Sequence, residues 1–65
     1  MDKAFVHDLI LDSENQMSEC IDLICDKRLK LMKGNERFLL MDIYALCGTL
    51  KNLAEEMQEK IGELI

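Results

Sequence analysis

Residues 36–64, ERFLLMDIYALCGTLKNLAEEMQEKIGEL, decide the fold because they hold the most regular apolar pattern in the chain. Apolar residues recur there every three or four positions, at Leu39, Ile43, Leu46, Leu50, Leu53, Met57, Ile61 and Leu64. At about 100° per residue these side chains lie within roughly 80° of one another on a helix. No useful length of the chain alternates as a strand does. The pattern predicts one long helix over about residues 36–64.

A second, less regular apolar pattern precedes this helix and predicts another helix over about residues 3–33. Its members are Val6, Ile10, Met17, Ile21, Ile24 and Leu31. Gly34 and Asn35 follow, and both tolerate the left-handed backbone that ends a helix. We therefore expect an all-α fold, a long antiparallel helical hairpin. Its predicted core comprises Met17, Ile21, Ile24, Leu31, Leu39, Ile43, Leu46, Leu50, Leu53 and Met57.

Two positions suggest interruptions of these helices. Ser13 and Gln16 fit a capping box, so residues 1–12 could form a separate short helix that folds back. Gly48 is the other position, because glycine costs about 1 kcal/mol relative to alanine within a helix. In the hairpin it falls opposite Cys20 and Ile21. We expect its missing side chain to permit a close approach of the two backbones.

Composition limits the classes of protein to which this chain can belong. Its 65 residues allow one domain, 1–65, and an apolar content of 49% is too high for a disordered acidic segment. A net charge of −5 argues against a general nucleic-acid or anionic-membrane binder. There is no membrane-spanning apolar stretch and no signal-peptide pattern at the start. Three cysteines without a CxxC motif suggest reduced thiols, and we expect a cytoplasmic protein with no membrane partner.

Residues 38–47, FLLMDIYALC, hold more apolar side chains than one helix–helix seam can use. A helix with apolar side chains on all sides is normally buried on all sides, and one partner helix cannot cover all of them. The chain is therefore predicted to form a homodimer, two hairpins in a four-helix bundle. The alternatives are a groove for a different protein's helix and a folded-back N-terminal segment. The predicted dimer or partner interface is Phe38, Leu40, Met41, Tyr44, Ala45 and Cys47.

Acidic residues recur on the first helix opposite its apolar seam. They are Asp8, Asp12, Glu19, Asp22 and Asp26, with Asn15 in the same row. This acidic face is interpreted in two ways. It is either a solvated face that supplies solubility, or a docking surface for a basic partner. In the second case its carboxylates can imitate the phosphate row of a nucleic acid and block a DNA- or RNA-binding protein.

Basic residues concentrate around the turn, at Lys27, Arg28, Lys30, Lys33 and Arg37. Cations at the end of the first helix complement its dipole, and Asp26 with Lys30 is a favourable i, i+4 pair. The dipole does not explain Arg37, which opens the second helix. A basic turn could also contact RNA or DNA phosphates, although no aromatic residue is interleaved for base stacking.

Residue types that carry chemistry are few and scattered. The segment His7-Asp8-Leu9 resembles the phospho-acceptor segment of histidine-kinase dimerisation domains, but Leu11 departs from that pattern. Cys20 and Cys25 point about 140° apart on a helix, so they cannot share a metal ion unaided. No nucleophile with a base and no glycine-rich phosphate loop is present. We expect no enzyme activity, no cofactor and no metal.

These features predict a small non-catalytic regulator or inhibitor that binds another protein through the acidic face or the apolar helix surface. A product of a phage or other mobile element that blocks a nucleic-acid-binding host factor fits this description. The alternative is an RNA- or DNA-binding regulator that acts through the basic turn. Phosphotransfer through His7 is a third hypothesis.

Overall fold

A computed structural model describes residues 2–34 and 36–65 of the chain. Helix α1 spans Lys3–Lys30, a 3₁₀ turn spans Leu31–Lys33, and helix α2 spans Glu36–Leu64. The described residues contain no strand. The all-α prediction is confirmed. The bounds of α2 are those predicted, whereas α1 ends three residues early because its last turn tightens into the 3₁₀ form.

Helix α1 begins at a capping aspartate and runs without a break. Oδ1 of Asp2 accepts hydrogen bonds from the backbone N–H groups of Ala4, at 3.0 Å, and Phe5, at 3.4 Å. The alternative of a separate N-terminal helix is wrong, because α1 continues through residues 12–16. There the Gln16 side-chain amide donates to Oδ2 of Asp12 at 3.1 Å. These polar side chains bond along the helix surface instead of capping a new helix.

The two helices pack side by side in antiparallel order. Sγ of Cys20 donates to the backbone carbonyl of Leu46 at 3.2 Å, and Nζ of Lys27 lies 3.4 Å from Oδ2 of Asp42. A residue nearer the turn on α1 thus contacts a residue nearer the turn on α2. The Cα atoms extend over 50 × 17 × 9 Å, so the hairpin is a slab one helix thick.

The seam on α2 matches the spacing of its apolar residues. All eight residues of that pattern, from Leu39 to Leu64, are buried or half-buried, and every other described residue of α2 is exposed. Met17 and Ile24 on α1, and Leu31 in the 3₁₀ turn, are half-buried.

The prediction for Ile21 is wrong, because 53% of its surface is exposed. Its place on the seam is taken by Cys20, which is only 4% exposed. The inward row of α1 comprises Ser13, Met17, Cys20, Ile24 and Lys27, and Leu31 of the 3₁₀ turn continues it, at alternating spacings of four and three. Ile21 points about 100° away from Cys20 and lies at the edge of the seam. Ser13 and Cys20, both with small side chains, are the buried residues of α1.

The glycines have different roles in the hairpin. Gly34 has φ 116° and ψ −175°, a conformation that side chains with a Cβ rarely adopt, and it ends the 3₁₀ turn. At Gly48 a Cβ atom would have no neighbour within 4 Å. The predicted close approach of the backbones at Gly48 is therefore wrong. This glycine lies on the outside of α2.

Candidate interaction surfaces

The hairpin buries little apolar surface within itself. Among the described hydrophobic residues only Cys20 and Leu39 are buried. Met32 is 88% exposed and Tyr44 is 83% exposed. The large apolar side chains that are exposed among residues 2–34 and 36–65 are Phe5, Leu11, Ile21, Leu23, Leu29, Met32, Phe38, Leu40, Met41, Tyr44 and Ile65.

The total accessible surface makes the same point for the whole chain. It is 5390 Å² for a mass of 7.5 kDa. A compact folded monomer of that mass exposes about 4,250 Å². The hairpin therefore exposes about 1,100 Å² more than a compact monomer does, and this excess exceeds the roughly 800 Å² that each partner buries in a stable protein interface.

Helical periodicity divides the exposed side chains between the two broad sides of the slab. We call one side the Tyr44 face; it carries Ile21, Met32, Leu40, Tyr44 and Cys47. We call the other side the Lys27 face; it carries Phe5, Leu23, Lys27, Phe38 and Asp42. The predicted interface therefore does not form one patch. Leu40, Tyr44 and Cys47 lie on the Tyr44 face, Phe38 and Ala45 lie towards the Lys27 face, and Met41 lies on the outer side of α2.

The Lys27 face contains a shallow groove with charged walls. Leu23, Ala45 and Thr49 line it together with the Lys27–Asp42 ion pair. The side chain of Lys27 is only 28% exposed. This lysine belongs to the inward row of α1, a position that apolar periodicity did not reveal. Its long apolar stem covers the seam while its ammonium group reaches Asp42.

The Tyr44 face carries an apolar groove far from the turn. Met17, Ala54, Met57, Ile61 and Gly62 line this groove. Its deepest part is lined by the half-buried Met17, Met57 and Ile61, and the small residues Ala54 and Gly62 lie at its side. Nearer the turn, the same side of α2 presents a second hollow lined by Arg37, Leu40, Met41 and Tyr44.

All five carboxylates of the acidic face are exposed on α1. Asp26 pairs with Lys30 at 3.1 Å, and Oδ1 of Asp8 lies 3.3 Å from Nδ1 of His7. The described residues give no hydrogen bond or ion pair to Glu19 or Asp22. The centre of the acidic face is therefore available to cations from outside the hairpin.

The basic turn is partly engaged within the hairpin. Lys27 and Lys30 pair with aspartates, and the Arg28 guanidinium donates to Sγ of Cys25 at 3.2 Å. Lys33 and Arg37 are exposed and make no ion pair with the described residues. Fewer cations are thus available for phosphates than the sequence alone indicates.

The described residues bring no chemical groups together as a reactive centre would. No three His, Cys, Asp or Glu side chains among them are close enough to hold a metal ion. His7 is exposed beside Asp8. The three cysteines are free thiols, and of these only Cys47 is exposed.

Comparisons with known proteins leave the chain without a family assignment. No protein-family model matches the sequence, and neither a curated protein nor a solved structure is significantly similar to it. Within the described part of the chain, no helix combines the length and apolar character that crossing a bilayer requires.

Proposed function

We propose that this chain is a small, non-catalytic, cytoplasmic regulator that works as a homodimer and binds another protein. Two hairpins pack into a four-helix bundle, and the bundle presents its acidic faces to the partner. The observation that supports the proposal most strongly is the excess of about 1,100 Å² of accessible surface over a compact monomer. A hairpin with so thin a core gains most of its hydrophobic stabilisation by burying that surface against a second chain.

The acidic face supports binding of a basic protein. Its carboxylates lie on the side of α1 turned away from α2, and packing of two hairpins through a broad side leaves most of them accessible. Like charges at i, i+4 destabilise a helix by about 0.2–0.5 kcal/mol per pair. A partner rich in lysine and arginine relieves this repulsion. The nucleic-acid-binding surface of another protein has that character, and the regulator would inhibit it by occupying the surface.

Direct binding of RNA or DNA through the basic turn has weaker support. Lys27 and Lys30 already pair with Asp42 and Asp26 within the hairpin. The whole chain also carries a net charge of −5, which repels phosphates at low ionic strength. Protein binding is therefore the function that the surface favours.

Charge reversal of the acidic face tests this proposal. Asp12→Lys, Glu19→Lys and Asp22→Lys are combined in one variant, which is used with the original protein for affinity capture from the source cytosol. We expect the original protein to retain a specific partner and the variant to retain at least tenfold less of it. Sedimentation equilibrium should show that the variant is still a dimer.

A second triple variant provides the matched control. Glu55→Lys, Glu59→Lys and Glu63→Lys change the net charge by the same amount on the outer side of α2. Because these residues also belong to the end of the hairpin far from the turn, sedimentation equilibrium must show that this control is still a dimer. Retention of the partner by this control assigns the contact to α1. Equal loss in both variants, or no loss in either, would contradict a specific acidic docking surface.

A further inference from the structure

We propose that the two hairpins of the dimer pack through their Tyr44 faces in antiparallel order, with the turn of each copy over the open end of the other. The open end comprises residues 2–12 and 55–65. This inference rests on the proposed function, because it specifies the surface and the orientation of the dimer proposed there. The occupant of the Tyr44 face is a second copy of this chain.

The choice of face follows from the charges on the two sides of the slab. Burial of the Lys27 face would remove the Lys27–Asp42 ion pair from water, and desolvation of paired ions often exceeds the attraction between them. Asp12, Glu56 and Lys60 lie on the same side by helical periodicity. On the Tyr44 face, Ile21, Met32 and Leu40 are instead large apolar side chains that already expose half or more of their surface.

The Tyr44 face also carries charged residues by this periodicity, but none of them forms an ion pair with the described residues; they are Lys3, Glu14, Arg28, Glu36 and Lys51. Long lysine and arginine side chains can keep their charges in water at the rim of an interface. Burial of the Tyr44 face therefore desolvates no ion pair, and we infer that it is the less costly side to bury.

The shape of the Tyr44 face fits a two-fold axis near Lys51. Tyr44 lies seven residues before this position and Gln58 seven residues after it, or about 10 Å of helix in each direction. A two-fold axis there brings the protruding Tyr44 of one copy over Gln58 and Gly62 of the other. Gly62 belongs to the apolar groove, and a Cβ atom at this position would meet nothing within 4 Å. The Tyr44 side chain of each copy thus meets the apolar groove of the other copy, so the contact is made twice, as a self-complementary interface requires.

The net charges of the two ends of the hairpin favour the antiparallel orientation. Residues 27–37 carry five cations and Glu36, for a net charge of +4. The open end carries seven carboxylates and two lysines, for a net charge of −5 with His7 neutral. Most of these charged side chains lie on the Lys27 face or on the outer sides of the helices, so they act on the second copy at long range and not by contact in the interface. Antiparallel packing stacks each positive turn over a negative open end, which is favourable at low ionic strength. Packing with both turns at one end would oppose positive to positive and negative to negative.

The area of the face is sufficient for a stable dimer. Its Cα atoms extend over 50 × 17 Å, a face of about 850 Å². Stable interfaces bury about 800 Å² on each partner. The two hairpins must overlap over their full length to bury this area. A two-fold axis near the centre of α2 produces that overlap.

Substitutions on opposite faces test the choice of surface. Leu40→Glu combined with Tyr44→Glu places two carboxylates in the proposed interface, and Phe38→Glu places one on the Lys27 face. We expect a mass of about 15 kDa, twice 7.5 kDa, for the original protein and for Phe38→Glu in sedimentation equilibrium. The double variant should show a dimer dissociation constant raised at least tenfold. Circular dichroism of each variant checks that its helices persist.

A spin label on the turn tests the orientation. Lys33→Cys is made in a background with Cys25→Ser and Cys47→Ser, and Cys20 remains because it is buried. The background protein without Lys33→Cys controls for labelling of Cys20. Helices of this length predict a distance of roughly 40–50 Å between the two labels in the antiparallel dimer, measured by double electron–electron resonance. Turns at the same end would give roughly 20 Å or less.

The outcomes separate this inference from the proposed function. A monomer at every concentration up to about 1 mM would overturn the dimer itself and with it both proposals. A dimer with the short label distance, or one that Phe38→Glu dissociates while the double variant does not, would overturn only the antiparallel Tyr44-face arrangement.

Discussion

Gly34 shows how one residue determines the path of the chain between the helices. Its φ of 116° with ψ of −175° lies in a region that only glycine adopts without strain. Gly48 is also a glycine, but it lies within α2, where any residue other than proline keeps the same backbone. The two positions therefore respond in opposite directions to the same substitution.

Gly34→Ala should destabilise the hairpin by about 1–3 kcal/mol. A Cβ atom at Gly34 meets nothing within 4 Å, so the cost comes from the backbone conformation alone. Urea unfolding followed by circular dichroism, at one fixed protein concentration, measures the change. A stability equal to that of the original protein would mean that the turn adopts another conformation.

Gly48→Ala should stabilise the protein by about 0.5–1 kcal/mol, because alanine loses less backbone entropy in a helix and finds open space here. The same urea measurement applies. A loss of stability would show that Gly48 is covered by a second chain at close range, which the proposed Tyr44-face dimer does not require.

At the scale of the elements, the seam of α2 follows directly from its spacing. Each apolar residue at the three- or four-residue interval is inward, because a regular helix carries such residues along one stripe. The pattern on α1 was more ambiguous. Ile21 and Cys20 both continue the spacing from Met17 to Ile24, and hydrophobicity alone favours isoleucine. Contact with α2 selects Cys20, whose thiol donates to the Leu46 carbonyl.

Substitutions at two adjacent residues of α2 should distinguish a seam residue from a surface residue by their effects on the free energy of unfolding. Leu39→Ala should cost about 2 kcal/mol or more, because Leu39 is one of the two hydrophobic residues that are buried in the described part of the chain. Phe38→Ala should change the unfolding free energy by about 0.5 kcal/mol or less, since Phe38 is exposed on the Lys27 face. Urea unfolding of both variants measures the difference. Equal effects would contradict the described seam.

At the scale of the whole molecule, stability should depend on protein concentration. A dimer is stabilised by mass action, so the melting temperature should rise with concentration over a range from about 1 µM to 1 mM. Calorimetry or circular dichroism at several concentrations measures this dependence. A constant melting temperature would contradict dimerisation in this range.

Salt should weaken the dimer if positive turns lie over negative open ends. Screening lengths fall from about 10 Å at 0.1 M ionic strength to about 3 Å at 1 M, so attraction between the ends is lost. We expect the dissociation constant to rise several-fold between these concentrations, as measured by sedimentation equilibrium. A fall in the dissociation constant would favour turns at the same end, where salt screens repulsion instead.

The all-α class, both helices and most of their inward residues can be predicted from the sequence, because these features depend on local periodicity and on a turn that glycine permits. The separate N-terminal helix could not be excluded that way. Asp12 and Gln16 fit a cap as well as an exposed helix surface, and only the continuous backbone decides between them. The tertiary structure also decided which residues share a face. Phe38 and Tyr44 are six residues apart in one apolar run, yet they lie on opposite sides of the slab, because the position of α1 determines which side of α2 each of them reaches.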